Sequence, residues 1–146
     1  MEQASLPVAI GDHVELSKTL TETDVALFTA VSGDFDPLHV DEVYARSTPF
    51  GRRIAHGLLA MALLSGTASL MSAKARARGF AGTSVSLGYD RVRFVHPVFI
   101  GDTLTARYTI QGFDLAKQRS LGRVTVDNDA GTTCVAGTHL MKWQAA

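Results

Sequence analysis

The sequence predicts an α+β domain in which an antiparallel β-sheet wraps a long central α-helix. Three observations carry this expectation. Residues 57–77 are apolar on nearly every side of a helical cylinder, which suits a helix enclosed by other structure. After Gly79 the pattern changes to the two-residue alternation of strands. The order is strand, then helices, then a meander of long strands, all within 146 residues that are 46 % hydrophobic and 19 % charged. That length and composition suit one domain, residues 1–146, with one real core.

The first strand lies near residues 12–20, entered from a turn at Gly11, with Val14 and Leu16 on one side. Thr21 or Thr23 then caps a helix whose acidic first turn (Glu22, Asp24) precedes Val25, Leu27, Phe28 and Val31 at helical spacing. Gly33 suits the left-handed residue that closes such a helix. Pro37 breaks the helical path of residues 34–39 and pushes Asp36 towards extended geometry. A short helix over 41–46, with Asp41 as its cap, precedes a loop over 48–53. The long helix 57–77 ends in Lys74, Arg76 and Arg78, where cations complement the helix dipole.

In the β half, Val85, Leu87 and Tyr89 share one parity and Val92 and Phe94 the other, so a bulge is expected between Gly88 and Arg91. His96-Pro97 ends that strand and Gly101-Asp102 makes a turn. Leu104, Ala106, Tyr108 and Ile110 then alternate with Thr103, Thr105, Arg107 and Thr109. Strands near 119–127 and 132–143 are joined by the hairpin sequence Asn-Asp-Ala-Gly at 128–131.

Fourteen basic residues balance fourteen acidic ones, so no global field would hold the chain on nucleic acid or an anionic membrane. The single cysteine, Cys134, excludes an intramolecular disulfide framework, and the N-terminus lacks a secretory pattern, which points to the cytoplasm. The longest apolar run, 58–64, is far short of the roughly 20 residues of a bilayer span. His13, His96 and His139 are scattered without metal-ligand spacing, so no metal site is expected. Ser65 lacks the surround of a nucleophilic serine, and Cys134 sits in a strand pattern as a core residue.

The chemistry concentrates in residues 32–65. Asp34 and His39 flank the Pro37 turn, close enough for one water to bond to both, and Gly57 opens the apolar helix. A positioned carboxylate and imidazole can deprotonate such a water, an effect of about 100-fold to 10,000-fold. The Gly57 N–H has no intrahelical acceptor, sits at the positive end of the dipole and carries no side chain to block a ligand. Loss of one such oxyanion donor typically costs roughly 2.7 to 4 kcal/mol. Each residue also has a structural role open to it: Asp34 as a turn cap, His39 as a satisfied half-buried histidine, His56 as a packing residue or as the group that orients the Gly57 peptide. Asp36 bonds the turn backbone.

Gly33-Asp34-Phe35-Asp36-Pro37-Leu38-His39, followed by Ile54-Ala55-His56-Gly57, resembles the hydratase motif of the MaoC-like (R)-specific enoyl-CoA hydratases and dehydratases. The segment Val92-Arg93-Phe94-Val95-His96-Pro97-Val98-Phe99-Ile100-Gly101-Asp102 is similar to that family's strand and turn. The resemblance implies the hot-dog fold, a sheet rolled around a long helix. It also implies reversible hydration of trans-2-enoyl-CoA to (R)-3-hydroxyacyl-CoA with no metal or separate cofactor. In it Asp34 and His39 activate water, and the Gly57 amide binds the thioester carbonyl. Ser65, two helical turns beyond Gly57 and on roughly its face, supports the site by hydrogen bonding in that family, and His56 beside Gly57 is a further candidate for oxyanion or substrate binding on its position alone. The substrate would be an acyl-CoA, or the thioester of an acyl carrier protein, and exposed sheet edges together with the resemblance imply a homodimer or a dimer of dimers. A hot-dog thioesterase and a non-catalytic acyl-thioester-binding subunit are the alternatives.

Overall fold

The structure is a computed structural model that describes residues 5–146. Strand β1 (His13–Thr19) leads into helices α1 (Glu22–Ser32), α2 (Pro37–Val40), α3 (Glu42–Arg46) and α4 (Gly57–Ala77). Strands β2 (Thr83–Phe94), β3 (Thr103–Asp114), β4 (Arg119–Asp127) and β5 (Thr133–Gln144) follow. The strands form one antiparallel sheet in the order β1-β3-β4-β5-β2, with α4 packed on its inner face.

The alternation of β3 explains how the sheet is sided. Leu104, Ala106, Tyr108 and Ile110 are buried against α4. Thr103, Thr105 and Thr109 face outward, where their hydroxyls meet Thr19, Ser17 and His13 of β1 at 2.8 Å each. Leu64 and Met71 of α4 meet this inner face fully buried, each contributing about 1.5 to 3 kcal/mol of hydrophobic stabilisation. Gly66 lets the helix approach β1: a Cβ there would lie 2.6 Å from Leu16 Cδ2. The helix end is tied down by Arg78, whose guanidinium donates to both carboxylate oxygens of Asp12 at 2.5 and 2.8 Å and holds that carboxyl below its usual range.

The caps of α1 follow the sequence. Thr21 and Asp24 form a reciprocal capping box, and Gly33 closes the helix at φ 72°.

Elsewhere the structure departs from expectation. Residues 37–40 are helical, not merely kinked, because Pro37 occupies the first helical position, where no N–H is needed, and the Asp36 carboxylate accepts from the Leu38 N–H at 2.9 Å. The single bulge expected in β2 is two register shifts, between Ser86 and Gly88 and between Asp90 and Arg93, the second of which contains Arg91 at φ 54°.

The long helix is not enclosed on every side. By length and composition α4 could cross a bilayer, and half of its most apolar window is buried, as befits the core helix of this sheet. Leu58, Ala62, Ser65, Ser69 and Leu70 remain exposed, because five strands cover only one side of the cylinder.

Candidate active site

Two segments converge on the amino end of α4. The first is the Asp34 loop, running from Gly33 to the α2 turn. Asp34 Oδ1 accepts from the Asp36 N–H at 3.1 Å, which leaves Oδ2 to face His39, 3.9 Å from its Nε2. Asp34 therefore is a turn cap, as the plain reading of the sequence had it, with one oxygen; the other stays free for chemistry.

The second segment is residues 54–55, held like a short edge strand. The Ala55 N–H donates to the Val98 carbonyl at 2.7 Å, Ile54 bridges Phe99, and the Ile54 N–H reaches the Leu38 carbonyl at 3.3 Å. This pins the Ile54 carbonyl 2.8 Å from His39 Nδ1. A carbonyl can only accept, so Nδ1 carries a proton, and in the neutral ring the lone pair sits on Nε2, towards Asp34. The 3.9 Å gap is too long for a direct hydrogen bond and suits one water bonded to both groups.

Arg53 braces the same corner. Its guanidinium pairs with Glu22 of α1 and Glu42 of α3, and it donates to the His39 carbonyl at 3.3 Å.

Beside the dyad lies a cavity of about 280 Å³, lined by His39, Phe50, Gly57, Phe94, Val98 and Cys134 among others. Its walls are mostly apolar, so an electrostatic donor there acts with little competition from water. Gly57 is the first residue of α4, and a Cβ on it would fall 2.6 Å from the ring of Phe94, so the helix start is bare by steric necessity. Burial pushes the Cys134 thiol up, which fits the expected core role.

The structure thus brings Asp34 to His39, and His39 and Gly57 to one cavity, whose lining does not include Asp34. It places His56 behind them, 2 % exposed and outside the cavity lining. Ser65 is not brought to the cavity. Eight residues turn an α-helix by about 80° from its starting face, and Ser65 falls on the open side of α4. Sequence reasoning missed the Ile54 carbonyl, which carries no side-chain signal, and Phe94, whose ring walls the cavity.

Donor atoms of Asp34, His39 and His56 lie within 4.8 Å of one another. The two imidazoles are stacked, however, with centroids 4.0 Å apart and 30° between planes. One nitrogen of each ring is already taken, His39 Nδ1 by the Ile54 carbonyl and His56 Nε2 by the Asp34 carbonyl.

A sheet against one long helix, with a carboxylate–imidazole pair at the helix mouth, defines a class as well as a shape. Residues 6–132 match the family model described as MaoC like domain, and the chain belongs to that family. Among its relatives is the (R)-specific enoyl-CoA hydratase of Aeromonas caviae, 33 % identical over 133 residues that cover 91 % of this chain and 93 % of that protein. The 3-hydroxyacyl-thioester dehydratase Z of Mycobacterium tuberculosis is 33 % identical over 132 residues, 89 % of this chain and 82 % of that one. The solved (R)-hydratase from A. caviae superposes with a TM-score of 0.82 at 31 % identity, covering 94 % of this chain and 98 % of that one. An R-hydratase from Pseudomonas aeruginosa gives 0.77 at 32 %, covering 95 % and 80 %. The fold is the hot-dog fold of these hydratases.

Proposed function

We propose that this chain is an enoyl-CoA hydratase/dehydratase, a carbon–oxygen lyase that interconverts trans-2-enoyl-CoA and (R)-3-hydroxyacyl-CoA. The observation that carries the reading is the Asp34 carboxylate and the bare Nε2 of His39 facing each other across a one-water gap beside Gly57. His39, steadied by Asp34, takes a proton from the bound water as its oxygen bonds to C3. The carbon–carbon π pair moves towards C2 and the thioester carbonyl, and the Gly57 N–H receives the charge that builds on the oxygen. The dyad then returns the proton to C2 from the same face, so addition is syn. Coenzyme A is part of the substrate, and the chemistry calls on no other cofactor. A cytoplasmic location goes with this reading, supported by the free, buried Cys134.

Incubation with crotonyl-CoA should bleach the enoyl absorbance and yield the (R)-3-hydroxy product with no free thiol. Thiol release would make the chain a thioesterase, and bound but unchanged thioester would make it a binding subunit. Either result rejects the reading.

The working unit in this proposal is a homodimer. β2 is a free sheet edge flanked by exposed Val85, Leu87, Phe94 and Val95, and α4 leaves Leu58 and Leu70 uncovered. A second copy covers both, and Ser65 enters the reading only as part of that α4 face. Sedimentation at micromolar concentration should give twice the chain mass; a monomer would contradict the proposal.

A further inference from the structure

We infer that His56 is the positioning residue of the dyad, fixing Asp34 and His39 at once without touching substrate; the inference rests on the hydratase reading of those two residues. Apart from the bond to His56, the hydrogen bonds of residues 33–36 are local: Gly33 to Thr29, Asp34 to Ser32, Asp36 to Asp34, Leu38 and His39 back to Asp36. The tie from the Asp34 peptide to the body of the protein comes from His56, 22 residues away, whose Nε2 lies 3.1 Å from the Asp34 carbonyl oxygen. That oxygen can only accept, so Nε2 carries the proton, with the Thr29 hydroxyl 3.5 Å away as a second neighbour.

The ring has a second task. One side meets Phe28 at 4.8 Å, and His39 stacks on it at 4.0 Å. A single buried imidazole therefore sets both the peptide that bears the carboxylate and the plane of the base. Its own carbonyl accepts from the Leu59 and Ala60 N–H groups, so the same residue caps the helix that presents Gly57.

Packing alone does not account for a histidine here. Its Nδ1 is buried with no partner among the described residues, a cost that phenylalanine or leucine would avoid while filling the space. What those residues lack is the N–H aimed at Asp34.

The test uses two variants and one spectrum. His56→Phe keeps the ring and removes the donor. It should lower kcat about 100-fold and leave KM within about twofold, with an unchanged melting temperature. His56→Gln, which restores a donor at similar reach, should recover part of the loss. Wild-type kcat in His56→Phe, or a loss confined to KM, overturns the inference.

Nitrogen-15 histidine spectra of the wild-type protein should show His56 protonated on Nε2 and His39 on Nδ1. The opposite tautomer at His56 overturns the clamp even if His56→Phe fails to fold. Should the wild-type protein hydrate no enoyl thioester, the hydratase reading falls by itself, and the tautomers still decide the clamp.

Discussion

Replacing Asp34 by asparagine, or His39 by alanine, is expected to slow enoyl-CoA hydration by about 100-fold to 10,000-fold while leaving the chain folded. Asparagine keeps the side-chain oxygen that accepts the Asp36 N–H, so the turn survives. The charge that steadies the imidazole and orients the water is lost. Alanine at 39 removes the base and leaves the Ile54 carbonyl without its donor. A melting curve on the same preparation separates a chemical defect from a folding one. Rates like the wild type's in either variant, measured by loss of the enoyl absorbance of crotonyl-CoA, would remove the mechanism.

The second large effect is on stability. His139 has no solvent exposure; its Nε2 lies 2.6 Å from the Ser86 hydroxyl and its Nδ1 3.0 Å from the Tyr108 hydroxyl. Burial pushes its pKa down from 6.5 to about 4. The folded chain therefore holds this ring neutral in a range where the unfolded chain takes up a proton. The resulting stability is fully present above about pH 6.5 and is lost as pH falls towards about 4, an effect on the order of 3 kcal/mol. Asp12, held below the usual carboxylate range by Arg78, gives up its share only at lower pH. Urea midpoints taken from about pH 7 to about pH 4.5 should fall steeply for the wild type and less for His139→Gln. Equal slopes would show that this imidazole is not what titrates.

Much of the architecture could be read from the residues because each local signal agreed with its neighbours. The parity of Leu104, Ala106, Tyr108 and Ile110 settled which face of β3 is buried, and Thr21, Asp24 and Gly33 marked both ends of α1. The misreadings have physical causes. Pro37 signals a break in mid-helix and a beginning at the first position, and only the Asp36 cap distinguishes them. The apolar surround of α4 promised a wrapped helix, yet the five strands cover only one side of it. At the site, side chains were legible and backbone was not. Asp34, His39 and Gly57 could be singled out as candidates, whereas the Ile54 carbonyl that faces His39 Nδ1 is set by the bridge to Phe99, a contact 45 residues distant in the chain.

Strand β2 is at once one of the two borders of the sheet and the carrier of Phe94, whose ring rests against Gly57. A partner strand along that border would lie beside the ring that walls the cavity. In the proposed homodimer, self-association and turnover would be linked through one phenyl group, and dilution would be expected to change the rate.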